Sequence, residues 1–529
     1  MKPSPMQPTA AMPMPSRPQQ PSWTRWVLPS FTDLCFLVLA GILTFTPASK
    51  ALLADADTGW HIRDGEFILA TRSVPHTDLF SYTRAGQPWY AWEWLYDAWI
   101  AGVHHLAGLN GVVFFTAVVI AVTYALLFRL LLRRSGNFAV AVGLTLMAAS
   151  TAQIHMLARP HVVSWLFTLI WADLLYQFEE GKRAVLFWLP PLMLLWVNLH
   201  GGFILGLVLL AMFGCARIWK FASAREAGTA REILQLAIAF VVCAATTLLT
   251  PYGYKLHVHI YEYLSNGFLM NAINEFMSPN FHAHGAGYFE AFILLSVFAI
   301  AAAYDRLTAT DLLIVLFSFH AALYATRNIP LSAILICVST SRLWAGLISP
   351  ARRSGPPWLS ELLEAIDDIS GNMATMETQF RGHGLAILAL AASTAIVLNG
   401  GRMLSVQVVS AQFSEKNFPI TATEFIRANN IHDHLFNPDN WSGYLIYRLY
   451  PKTKVFFDDR HDFYGEAFIR EYLQASDATS NWRQPLDRYQ VKWVLVPAAS
   501  PFATVLKESK DWRLEFDDGM AAIYSRPGR

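Results

Sequence analysis

Residues able to move a proton or hold an anion gather in a few short segments of this chain. The densest is DADTGWHIRDGEFIL, which begins at Asp55 and carries Asp57, His61, Arg63, Asp64 and Glu66. Asp57 closely follows a long apolar run, so its carboxylate sits where lipid head groups meet water. A base at that level can take a proton from a hydroxyl while a lipid-linked donor supplies the electrophile. The same Asp57, followed by Thr58, is also suited to cap a helix running through Trp60, Phe67 and Ile68.

A second group pairs cations or donors with the ends of apolar runs: Arg159 and His161 in ARPH, Asn198 and His200 in NLHGG, Arg327 and Asn328 in RNIP. Beneath a water-filled cavity these types suit a phosphate or pyrophosphate, because a guanidinium binds its oxygens in a bidentate fork. Snorkelling and helix capping are the alternative use of the same positions. The pairs His257 with His259 and His282 with His284 do not make a metal site. Rings two apart on a helix point in different directions, and no carboxylate completes a ligand set. FFDDRHDFYG clusters Asp458, Asp459, Arg460 and Asp462, either as an ion-pair network shaping a turn or as a surface meeting the cavity.

The elements that must position these residues are membrane helices. Of 529 residues, 54% are hydrophobic and 15% charged, a composition that needs lipid to face. The net charge is +1, with no basic block able to grip a phosphate backbone, which excludes nucleic acid as a partner. About eleven apolar runs approach the length that crosses a bilayer: 26–48, 110–132, 138–154, 162–178, 184–199, 203–221, 233–249, 289–304, 312–325, 329–347 and 384–398. With the N-terminus inside, alternate loops carry Arg133 and Arg134, then Lys182 and Arg183, then Arg217, Lys220, Arg225 and Arg231, then Arg306, then Arg352 and Arg353. That pattern puts the chemistry on the non-cytoplasmic face, together with everything after about residue 400.

Three regions follow. Residues 1–25 form a disordered tail, and 26–400 a transmembrane module whose first outer loop is 51–109. Residues 401–529 form a small extracytoplasmic α/β domain. In the first outer loop, Trp92, Leu95, Tyr96, Trp99, Val103 and Leu106 recur at helical spacing with Glu93 and Asp97 opposite, as in an amphipathic interfacial helix. Residues 360–379 read as a helix lying on the cytoplasmic membrane surface. In the C-terminal domain, 455–457 and 491–496 read as strands, and the DDG at Asp517 as a hairpin between 514–516 and 521–524.

DTGWHIRDGEFIL, PHTDLFSYT, ARPH, NLHGGF, RNIP, WSGYL and VFFDDRHDFYG resemble motifs of a bacterial group similar to the GT-C superfamily of membrane glycosyltransferases. The resemblance covers nearly the whole chain after the tail. It implies a multi-pass protein of the bacterial inner membrane that transfers a sugar from a polyprenyl-phosphate-linked donor, with inversion. In that reading Asp57, or Asp55 as a substitute, is the base, and Glu93 or Asp78 orients the acceptor. His61, Arg63, Arg159, His161, Asn198, His200 and Arg327 bind substrate. Among relatives of that superfamily oligosaccharyltransferases add a metal, but no WWDYG-like segment is present here; no cofactor is indicated, and a divalent metal and the acceptor class stay open. The alternatives are a transporter or flippase for a lipid-linked or polar solute, and a non-catalytic envelope assembly protein.

Overall fold

A computed structural model describes residues 24–225, 228–283, 285–348, 356–380, 382–432 and 434–527. Residues 1–23 of the expected tail, the Arg352 and Arg353 pair and His284 lie outside the described residues. Each of the eleven apolar runs falls on a helix. In chain order the long helices are α1 (Phe31–Phe45), α2 (Asp57–Thr71), α3 (Trp94–Ser135), α4 (Phe138–Ala152), α5 (His161–Glu179), α6 (Leu189–Leu199) and α7 (Ile204–Ala224). They continue with α8 (Thr229–Thr246), α9 (Tyr254–Ser265), α10 (Ala286–Ala302), α11 (Ala309–Tyr324), α12 (Ile329–Ile348), α13 (Pro357–Gln379) and α14 (His383–Leu398). Among the described residues six helices are long and apolar enough to cross a membrane, or seven if the α13 and α14 pair, bent by 72°, is one span.

Local chemistry sets where several helices begin. Ser30 and Asp33 form a reciprocal capping box before α1, Asn137 caps α4, and Thr308 caps α11 through the Asp311 amide. The expected interfacial helix is the first part of α3, separated from the span by a break at Ala107 and Gly108. It departs from the expectation at Asp97. Trp99 and Leu106 are 55% and 69% exposed, whereas Asp97, expected opposite the apolar stripe, is fully buried.

The two ends of the bundle differ in charge. At one end Arg134 reaches Asp311 and the ring of Tyr176, and Arg217 pairs with Glu179 and Glu232. At this same end α13 lies across the starts of α1 and α4: Glu377 accepts the Phe31 amide at 2.6 Å, and the Ala139 amide donates to Ser370 at 2.9 Å. The expected surface helix is thus pinned to the arginine-rich end.

At the opposite end sits the C-terminal domain. After a small hairpin of β1 (Arg402–Met403) and β2 (Val406–Gln407), it builds a sheet from β3 (Leu435–Phe436), β4 (Trp493–Pro497), β5 (Arg513–Asp517) and β6 (Ala521–Ser525) in the order β3-β4-β6-β5. β3 and β4 are parallel and the other pairs antiparallel, so the expected hairpin is β5 and β6. Residues 455–457 are not a strand of this sheet. Val455 instead bridges to Ser81 of the first outer loop, with its amide on the Phe80 carbonyl at 3.1 Å. The loop and the C-terminal domain are therefore stitched by backbone hydrogen bonds.

Two glycines in the first outer loop allow close crossings. A Cβ on Gly65 would stand 1.8 Å from the Asp97 carbonyl oxygen, and one on Gly59 would stand 2.2 Å from the Gly443 carbonyl oxygen of Ser442–Leu449. α2 is wedged between α3 and the C-terminal domain by backbone contact, which no larger residue permits. Gly59→Ala is expected to destabilise the chain by about 1–3 kcal/mol, read as a lowered midpoint of thermal unfolding; an unchanged midpoint would mean that α2 and the domain can slide apart freely.

Candidate functional site

A cavity of about 910 Å³ opens at this second end of the bundle. The loop before α2, the starts of α5, α7 and α12, the segment around Glu275 and the C-terminal domain all contribute to its wall. Its centre is Arg159. The guanidinium lies 3.0 Å from Asp55, 2.6 Å from Asp57 and 2.7 Å from Glu275. Burial works against the charge of Arg159, but these carboxylates hold its pKa well above the ordinary value, so it stays a cation. Arg159 in turn holds the Glu275 carboxyl below the usual carboxylate range.

Asp55 and Asp57 divide the work at the start of α2. The Asp57 amide donates to Asp55 Oδ1 at 2.8 Å, so Asp55 caps the turn and leaves Asp57 free to face the cavity. Burial raises the Asp55 carboxyl to about 6. Burial would also raise Asp57, but Arg159 and a hydrogen bond from Asp459 outweigh it and the net direction is down. Asp459 moves the other way, pushed up by burial and by the charge of Asp57. Oxygens of Asp55, Asp57 and Asp459 come within 4.8 Å of one another. An oxygen-only set of this kind suits a hard divalent cation rather than zinc, but Arg159 already places a positive charge on two of its three members.

Beside this cluster, His61 Nδ1 lies 2.6 Å from Asp97 and His61 Nε2 lies 3.8 Å from Glu93, whose other oxygen is 3.5 Å from His200 Nε2. Burial raises Glu93 to about 8 and lowers His61 to about 3, which leaves both neutral at neutral pH. Arg327 also lines the cavity, with its guanidinium 4.5 Å from the centre of the Phe276 ring. Among the described residues no carboxylate lies within ion-pair distance of it. Arg327 is thus the cation in this wall whose charge is not already committed.

Asp55, Asp57, His61, Glu93, Arg159, His161, His200 and Arg327, singled out by sequence, come together here from segments far apart in the chain. Three others do not line the cavity. Asp78 caps its own turn at Phe80 and Ser81 and receives Arg460 at 2.6 Å. Arg63 pairs with Glu66 at 2.6 Å and donates to the Tyr447 carbonyl, and Asn198 accepts from Trp94 Nε1 at 2.8 Å and donates to the Leu249 carbonyl. Sequence reasoning missed Glu275, which carries no motif, and Asp97, whose helical phase suggested a solvent face. Both readings of FFDDRHDFYG hold at once: Asp458 and Arg460 form a buried ion pair, while Asp459, His461 and Asp462 line the cavity. The histidine pair separates as expected, with His257 on Thr247 at 2.8 Å and His259 on Asp462 at 2.8 Å.

No protein-family model matches the chain, and no curated protein matches its sequence. Solved structures do match its fold. ArnT from Cupriavidus metallidurans, bound to undecaprenyl phosphate, aligns with 93% of this chain and 97% of its own at a TM-score of 0.51 and 11% identity. The apo oligosaccharyltransferase of Archaeoglobus fulgidus aligns with 94% of this chain and 74% of its own (TM-score 0.49, 11% identity). The mycobacterial arabinofuranosyltransferase AftD aligns with 94% and 40% respectively (TM-score 0.47, 11% identity). The chain therefore shares the fold of that ArnT structure, and its long apolar helices are those of a multi-pass membrane protein.

The raised Glu93 pKa sets a pH dependence of stability. Folding favours the protonated carboxyl, so its contribution is complete below the ordinary value of 4.5 and is lost as pH rises to about 8. The unfolding midpoint of Glu93→Gln should therefore gain on that of the parent chain as pH climbs through this window. A gap that stays constant with pH would show that Glu93 is ionised throughout.

Proposed function

We propose that the chain transfers a sugar from a polyprenyl-phosphate-linked donor to a hydroxylated acceptor at the non-cytoplasmic face of the bacterial inner membrane. The observation that carries this reading is that one cavity, at the end of the bundle opposite the arginine-rich loops, holds both an ionised carboxylate and an uncommitted guanidinium. The acceptor oxygen attacks the anomeric carbon while its proton passes to Asp57. The bond from that carbon to the phosphate oxygen breaks on the far side, with inversion, and the phosphate leaves with the electron pair. Arg327 balances the charge that grows on it, and Glu93, neutral, donates a hydrogen bond that orients the acceptor. Positioning and electrostatic stabilisation supply the rate in such a site.

The charge pattern favours transfer over transport. A transporter would set polar groups near the midplane between repeats, whereas the ionisable groups described above sit at the helix ends. The C-terminal domain belongs on the same outer face as the cavity it lines. In this proposal Arg159 fills the place of a divalent cation among the carboxylates, so transfer persists after treatment with EDTA; loss on chelation, with recovery in Mg²⁺ or Mn²⁺, would assign that place to a metal.

Transfer from radiolabelled polyprenyl-phosphate sugars to membrane acceptors is the direct test. Asp57→Asn should lower it about 100-fold or more, and Arg327→Met should lower kcat as well as raise KM for the lipid donor, since its charge answers one that grows as the phosphate leaves. Full activity in Asp57→Asn would remove the base assignment.

A further inference from the structure

His200 lies in a hydrogen-bond chain whose proton positions are dictated by its end members. Trp196 Nε1 donates to Ser164 Oγ at 2.7 Å, and an indole nitrogen is a donor only. That contact takes one of the two lone pairs on Oγ, and Oγ lies 2.7 Å from His200 Nδ1, a contact whose direction is set by what else reaches that nitrogen. The Gly202 amide, also a donor only, reaches the same Nδ1 at 3.0 Å. A ring nitrogen that accepts from two donors carries a lone pair, so the proton of the neutral ring is on Nε2. That atom faces the cavity, 3.5 Å from Glu93.

The sequence NLHGG makes sense in these terms. A Cβ at Gly202 would lie 2.5 Å from Ser164 Oγ and 2.9 Å from His200 Nδ1, so a side chain there would push the amide off the ring. Ser164 and Trp196 are fully buried, so a displaced hydroxyl or indole N–H has no water to turn to. The charged and titratable groups around His200 are Glu93 before α3, Arg159 and His161 at the start of α5, Arg327 before α12 and His61 on α2. Burial, then Arg327, His161, Arg159 and His61, depress the His200 pKa well below the ordinary value.

We propose that Ser164 is a positioning residue which, with the Gly202 amide, locks His200 as a neutral Nε2–H donor aimed at an anionic phosphate oxygen in the cavity. The locked ring stands on the hydrogen-bond chain alone; its phosphate partner rests on the glycosyl-transfer reading. His200 then gives the phosphate a hydrogen bond without adding a charge that would hold the leaving group after the sugar departs. It also cannot act as the proton acceptor, which leaves that task to a carboxylate.

The two parts are separable by nitrogen-15 NMR of histidine-labelled full-length chain in lipid nanodiscs, with His200→Gln assigning the signals. Between about pH 5 and about 8 the His200 pair should show one protonated and one unprotonated nitrogen, with the proton on Nε2. An imidazolium near pH 6, or a proton on Nδ1, would overturn the proposal. Ser164→Ala, and Trp196→Phe as a variant that keeps the bulk of the core, should release the ring into mixed tautomers or into titration. Ser164→Thr should restore the parent pattern, and an unchanged pattern in both disrupting variants would remove the positioning role. Undecaprenyl phosphate should shift the Nε2 signal where undecaprenol does not. A locked tautomer that ignores the phosphate lipid would overturn the phosphate partner and the transfer reading while leaving the lock itself in place.

Discussion

The rest of the site depends on one half-buried cation, Arg159, held among Asp55, Asp57 and Glu275. These four groups come from the loop before α2, the approach to α5 and the segment after α9. None could be buried alone, since an unpaired charge in such surroundings costs several kcal/mol. Held together they line the cavity, and Arg159 helps hold the Asp57 carboxyl below its ordinary value against the effect of burial. Their balance has a second consequence. Arg159 is matched by carboxylates on three sides, so in the proposed reaction the phosphate falls to Arg327.

The second constraint is close backbone contact. Gly59 and Gly65 let α2 press against Gly443 and Asp97, and the strand-like pairing of Ser81 with Val455 ties the same loop to the C-terminal domain. Arg460 closes the join by bridging Asp458 and Asp78. The domain is thereby a wall of the site rather than an appendage. It places Asp459 against Asp57 and His461 against Asp439, where burial opposes the imidazolium but Asp439 raises its pKa to about 9.

Much of this was legible in the residues. Apolar run length located the helices, because a bilayer leaves the backbone few other options, and the alternation of basic loops separated the two ends of the bundle. Motifs at helix ends pointed to Asp57, Arg159, His200 and Arg327, and these do share one cavity. What was not legible depends on which face of a segment meets which partner. Periodicity placed Asp97 correctly on a helix but could not know that its side would pack on His61. Asp78, Arg63 and Asn198 have the residue types of a site, yet their hydrogen bonds are spent on turns and carbonyls. Glu275 lies in NAINEF, where nothing marks it until Arg159 arrives beside it.

A structure of the full-length chain with undecaprenyl phosphate bound tests the division of labour between the two arginines most directly. The phosphate is predicted to lie against Arg327 and His200 Nε2, with the pairing of Arg159 to Asp55, Asp57 and Glu275 intact. Phosphate bound to Arg159 with those carboxylates displaced, or lipid seated at the arginine-rich end of the bundle, would contradict it.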